Sequence, residues 1–192
     1  VYKRQDFMGD EKEVRYRVPN VNQCKECHSA EDKITPIGPK ARNINKKLVY
    51  DDGEFNQLEY WMDRQMIDNY PLDLISPVDW TNENLNINDR VRSYLDVNCG
   101  HCHSPTGNAN STGLYLQLDE TRDIHLGIFK KPVATGRGSG GFKYSIVPGK
   151  PDESILLYRM TSMDPGVMMP ESGRSLSHIE AVEMVREWIY GL

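Results

Sequence analysis

Cys24-Lys25-Glu26-Cys27-His28 and Cys99-Gly100-His101-Cys102-His103 are two copies of one pattern, C-x-x-C-H, and together they use all four cysteines of the chain. On a helical turn, positions i and i+3 share a face. Both thiols of a copy can therefore reach the two vinyl groups of one porphyrin, and the histidine that follows points its imidazole at the iron from the same side. The pattern predicts two covalently attached c-type haems. Cys24, Cys27 and His28 would hold one and Cys99, Cys102 and His103 the other, with His28 and His103 as proximal iron ligands. Three other chemistries compete. Two C-x-x-C knuckles can share one structural zinc ion, but their spacing far exceeds that of the compact zinc ribbon, and zinc gives no reason for a histidine after both pairs. A redox C-x-x-C would be expected beside a βαβ pattern, which is absent here. Simple disulfides are the third.

The rest of the composition frames this reading. The chain has 192 residues, a net charge of -5, 38% hydrophobic and 27% charged residues, and a mean hydropathy of -0.63. Three Trp and ten Tyr argue against wholesale disorder. No apolar run approaches the ~20 residues of a membrane span, and the acidic balance (pI ≈ 5.6) argues against nucleic acid as a partner. The opening Val1-Tyr2-Lys3-Arg4-Gln5 translates one frame of a transposon-end adapter used in sequencing libraries. Residues 1–14 are therefore read as an assembly scar and a truncated lead-in, outside the fold argument. On that reading the signal peptide is lost with the missing N-terminus.

Organisation follows the two motifs. Residues 6–20 read as extended, with alternation in Val14-Arg15-Tyr16-Arg17-Val18. Pro19-Asn20 opens a short helix carrying the first motif. Ile37-Gly38-Pro39 marks a turn. Residues 55–67 read as an amphipathic helix, and the Pro- and Asn-rich stretch 69–88 as a linker. Asp89 is expected to cap a helix from Arg90 to Cys102 that runs into the second motif. A further helix starts at Pro151 and runs to Met160, with Pro near its first position. Met163 to Arg174 is a loop, and Ser177 to Tyr190 is a terminal helix with Ile179, Val182, Val185, Trp188 and Ile189 as its apolar stripe. The expected fold is mostly α, as two small haem-bearing helical domains with long Gly- and Pro-rich loops: an atypical first domain over 15–80 and a second over 81–192.

Residues 89–192 resemble a class I c-type cytochrome domain. Its order is a helix ending in C-x-x-C-H, a middle helix, a Met-Pro loop and a C-terminal helix. The matching pieces here are Arg90 to His103, Asp152 to Met160, Met169-Pro170 and Ser177 to Tyr190. The resemblance implies that the terminal helix crosses the first one, that His103 is the proximal ligand and that Met169 is the distal ligand, with the adjacent Met168 as the alternative. The whole chain after residue 14 also resembles a group of bacterial dihaem proteins of unsettled role. The likeness runs through Val18-Pro19-Asn20 into the first motif, Ile37 to Asn43, Tyr94 to Ser104, Lys131 to Gly141 and Ile146 to Arg174. Members of that group carry a further region upstream.

The first haem departs from the family pattern. Outside the helix expected over 55–67, no Met or His lies between the first motif and the linker. Met66 is the expected sixth ligand, Met62 is read as core, and Met8 lies upstream in the extended segment. A ligand from the second domain, Lys40 and an open iron are the alternatives. Gly38-Pro39 resembles the family turn whose Pro carbonyl accepts a hydrogen bond from the proximal ring; an ordinary turn is the other reading. His101, His125 and His178 are read as non-ligands, with a bis-His haem through one of them as the alternative. Gly136 to Gly141 lacks the phosphate-loop pattern and is read as a flexible loop. Nearby Lys130, Lys131, Arg137 and Lys143 either pair with haem propionates or are simply solvated.

These readings lead to one functional expectation: electron transfer between transient redox partner proteins in the periplasm or at the cell surface, with an upstream domain of the same protein as a further partner. A His/Met haem favours that role. The alternatives are a peroxidase working at an open first haem and a structural zinc module.

Overall fold

The computed structural model describes residues 2–7, 10–31 and 33–192, and for 2–7, 10–13 and 15 it describes the main chain. The protein is mostly helical with little strand. Near the N-terminus, β1 (Tyr2–Phe7) and β2 (Asp10–Arg15) form an antiparallel hairpin, with Tyr2 opposite Arg15 and Phe7 opposite Asp10. The first motif rides on α1 (Val21–Cys27). This helix starts where Pro19-Asn20 predicts. The Asn20 side chain accepts from the Gln23 amide at 3.0 Å, and the Gln23 side chain accepts from the Asn20 amide at 3.1 Å. That reciprocal pair satisfies two amides that a helix start otherwise leaves free.

Beyond α1 lie a small ladder of β3 (Ser29–Ala30) with β4 (Lys33–Ile34), then α2 (Ala41–Ile44), and then a hairpin of β5 (Lys47–Tyr50) with β6 (Gly53–Asn56). The helix expected over 55–67 is shorter. It is α3 (Gln57–Asp63), because Phe55 and Asn56 finish β6 and the Asn56 side chain caps the helix through the Leu58 amide. The helix ends at Arg64, and Gln65 follows with a left-handed φ of 55°.

The second motif follows α4 (Ile87–Asn98). Asn86, not Asp89, caps it: the Asn86 carboxamide accepts from the Asn88 amide at 2.8 Å. The helix also stops before the motif. Cys99 to His103 form one further turn, closed by the His103 amide donating to the Cys99 carbonyl at 2.9 Å. Gly107 holds this turn close, since a Cβ there would collide with the Cys102 carbonyl.

Further on are α5 (Asp123–Leu126), α6 (Ile155–Thr161) and α7 (Ile179–Tyr190). The helix expected from Pro151 begins as a 3-10 turn, Pro151–Glu153, before α6.

The core lies between α4, α6 and α7. Val91 and Leu95 pack with Leu116, Ile146, Leu157, Val182, Val185, Trp188 and Ile189. Of the expected stripe on α7, Ile179 alone is exposed. The Trp188 indole donates to the Asn88 side chain at 3.1 Å, tying the two long helices together. Helix α4 is buried on nearly every side from Val91 to Asp96, including two charges. Arg92 donates to the carbonyls of Gln117, Leu118 and Glu120. Asp96 accepts from Arg42 at 2.5 Å and from the Leu118 amide at 3.0 Å. Buried charge is tolerated only when paired in this way. The end of the 69–88 stretch lies along the same helix: the Val78 amide donates to Ser93, and the Trp80 ring sits edge-on to Tyr94.

The two halves differ in their cores. Among the described residues before Ile87, Val14 and Leu58 are the buried apolar side chains, while Val18, Val21, Ile34, Val49, Met66, Leu72 and Ile75 are exposed.

Candidate functional site

A cavity of about 690 Å³ opens beside the end of α4. That volume suits a sizeable organic ligand. Its walls include Cys99, Cys102 and His103 from the second motif, Met169 and Pro170 from the loop after α6, and Leu114, Leu116, Leu156, Met160 and Val182 as apolar lining. The fold thus brings these four predicted residues into one chamber, and Cys27 of the first motif lines it as well. Met168 is buried and is not part of this wall.

The loop that carries Met169 is braced from α6. The Met169 amide donates to the Arg159 carbonyl at 3.0 Å, and the Arg159 Nε donates to the Val167 carbonyl at 2.8 Å. Arg174 donates to the carbonyls of Met160, Ser162 and Arg159 at the C-terminal end of α6. Cationic side chains there satisfy carbonyls that a helix end leaves without partners.

His103 carries the chemistry expected of a ligand. Burial pushes its imidazole down to about 4, with the Leu114 carbonyl pulling the other way. The ring is therefore neutral near pH 7, the form that binds a metal. Its Nδ1 is buried with no hydrogen-bond partner among the described residues, and such an orphan in a cavity wall marks a site shaped for something more. Burial also pushes the Cys99 thiol up to about 12, so it stands as an S–H. The donor set of two thiols, one neutral imidazole and one thioether around an apolar chamber fits a c-type haem.

Sequence reasoning missed the cavity's basic wall. Lys130, proposed for propionates, does line it, but Arg159 and Arg174 join it there. Burial lowers the basicity of both guanidiniums, and the Nε of Arg174 has no partner among the described residues. An anionic group of a ligand would relieve that cost. Arg137 is instead paired with Asp164 at 2.9 Å, and Lys143 lies over the Tyr144 ring. No sequence signal separates Arg159 and Arg174 from other surface arginines, because their burial comes from the loop folding over α6. His178, read as a non-ligand, also reaches the wall, where its Nδ1 meets the Tyr94 hydroxyl at 3.1 Å. His125 pairs with Glu120 at 3.1 Å, away from the cavity.

None of the protein families, curated proteins or solved structures compared with the chain matches it.

The first motif is arranged differently. His28 and Cys24 are exposed, and Met66 is 63% exposed beyond the end of α3. Met62 is exposed too, contrary to its reading as core. No hydrogen bond joins the His28 ring to the Pro39 carbonyl among the described residues, whereas the Thr35 amide donates to the His28 carbonyl at 2.8 Å. Met8 lies outside the described residues. What the first motif does meet is the second. The ligand atoms of Cys27, His101 and Cys102 lie within 4.8 Å of one another. The contact with Cys102, and then that with His101, holds the Cys27 thiol well below the usual thiol range, while the same contact pushes Cys102 up.

Proposed function

We propose that the chain is a dihaem c-type cytochrome made of two small haem domains, and that it carries electrons between redox partners outside the cytoplasm. The observation that carries this reading is the cavity in which Cys99, Cys102, His103 and Met169 share one apolar chamber. The bound group would supply an iron that cycles between ferric and ferrous states. Cys99 and Cys102 would anchor it, His103 would ligate from the motif side and Met169 from the braced loop. Arg159, Arg174 and Lys130 would hold its carboxylates, and the apolar wall would keep water out, which together set the potential. Cys24, Cys27 and His28 would hold the second group. The sparse core before Ile87 supports this, because a covalently held porphyrin offers apolar surface that those exposed side chains otherwise lack.

Covalent attachment implies maturation and work in the periplasm or at the cell surface. Partners would dock through small, transient interfaces, and an upstream domain of the same protein is one candidate. No helix of the described residues is long and apolar enough to cross a membrane.

The exposure of both His28 and Met66 favours a second reading, in which the first iron keeps an open position and reduces peroxide. The Cys27–His101–Cys102 group favours a third, a zinc-stapled module. One experiment separates them. The full chain is exported in a host with the c-haem maturation machinery, then weighed intact and examined by absorption in both redox states. Two haems that resist acid-acetone extraction, both low-spin, are expected. A high-spin ferric component with peroxide turnover would move the assignment to the peroxidase. No haem and stoichiometric zinc would overturn it.

A further inference from the structure

The two haem motifs do not stand apart, although a long stretch of chain separates them. Cys27 ends α1, and Cys102 sits in the turn after α4. Their sulfurs and a ring nitrogen of His101 lie within 4.8 Å of one another. The Cys102 thiol donates to the Glu26 carbonyl at 3.5 Å, so main chain of the first motif takes part in the contact. Glu26 and Cys27 also line the cavity that holds His103 and Met169. The other cysteine of each motif stands outside this group. Cys24 is exposed and turned to the Pro19 carbonyl at 4.0 Å, and Cys99 packs against the core of α4 and α7. In both motifs, then, it is the second cysteine that faces its counterpart.

We infer that Cys27 and Cys102 hold the two porphyrins rim to rim, so that the haems act as one electronically coupled pair. This rests on the dihaem reading above. Each attachment forms when a thiol S–H adds across a vinyl C=C, the sulfur bonding one carbon and the hydrogen the other. Nothing leaves and no oxidant is consumed. With the sulfurs held where the structure places them, the carbons they bond would lie no farther apart than the sulfur–sulfur distance plus a carbon–sulfur bond at either end. His101, in the variable part of its motif, brings a ring nitrogen within the same 4.8 Å of both sulfurs. At such a separation each iron feels the other's charge in a partly buried, weakly screened setting. Oxidising one haem makes the other harder to oxidise. The pair hands electrons through a short internal step, and a partner can dock at either end.

The test compares three proteins loaded in the same host: the full chain, C24A/C27A and C99A/C102A. Two rim-to-rim chromophores give the full chain a bisignate Soret circular-dichroism band that the summed spectra of the two variants do not reproduce. Half-reduction should collapse that band in the unmodified chain, because the Soret bands of the two redox states no longer coincide. This second readout needs no variant to fold. A full chain carrying two haems with a single-signed band, unchanged in shape at half-reduction, overturns the coupled pair while leaving the dihaem reading intact. A chain that takes up no haem overturns both.

Discussion

Asp96 and Arg42 make the sharpest test of how the motif-bearing segments are joined. Asp96 is fully buried on α4, and Arg42, 19% exposed on α2, contacts it at 2.5 Å. At that distance the gross attraction is about 7 kcal/mol with an effective dielectric of 20. Desolvation offsets most of it, so the pair itself adds little net stability. Removing one partner is another matter. R42A leaves a carboxylate with no exposure and, among the described residues, the Leu118 amide as its sole hydrogen-bond donor, which costs about 3–5 kcal/mol. For a chain of this size the midpoint of thermal unfolding falls by ~6–20 °C. D96A strands a guanidinium that can still reach water, together with one buried amide, and costs about 2–4 kcal/mol by the same reasoning. The double variant R42A/D96A should lie closer to wild type than the sum of the two singles. Urea unfolding of all four proteins gives the coupling energy. If R42A unfolds within ~1 kcal/mol of wild type, α2 is not fastened to α4 by this pair, and the close approach of the two motifs loses its main brace.

Three further outcomes follow from the same geometry. M169A should change the absorption and potential of the haem-loaded chain with little loss of stability. M168A, a buried truncation, should cost about 2–5 kcal/mol and leave the spectrum unchanged; the reverse result would make Met168 the ligand. Glu120 is held far below the usual carboxylate range, chiefly by Arg122. Its contribution is therefore present above the ordinary glutamate value of 4.5 and is lost as pH falls below it. E120Q should flatten that acid limb of the unfolding curve while changing stability at pH 7 by no more than ~1 kcal/mol, since Arg122 is exposed. Limited proteolysis of the haem-free chain should cut first within 69–86, leaving a resistant piece from α4 onward, and haem loading should slow those cuts. Equal rates with and without haem would mean that the porphyrin adds nothing to the core of the first half.

The strongest local signals were legible without coordinates. Asn20 with Gln23 announces the start of α1, and the apolar stripe from Val182 to Ile189 announces α7, because capping and periodicity are short-range properties. The hairpin of β5 and β6 was missed, although Asp52-Gly53 between apolar pieces is a hairpin signal. The start of α4 was misplaced by three residues, because Asn86 and Asp89 are equally good caps and only the surroundings choose between them.

The donor set at each motif was written in the chain, since thiol and imidazole spacing on one turn is local chemistry. The folded chain decided everything that depends on distant segments meeting. Met169 rather than Met168 faces the cavity because Arg159 and Arg174 fasten the loop to α6. Arg92 and Asp96 sit inside the protein because loop carbonyls and Arg42 arrive to satisfy them. Cys27 meets Cys102 across a separation that no local pattern encodes. Burial and long-range pairing are properties of the packed whole, whereas ligand type and helical phase belong to the residues themselves.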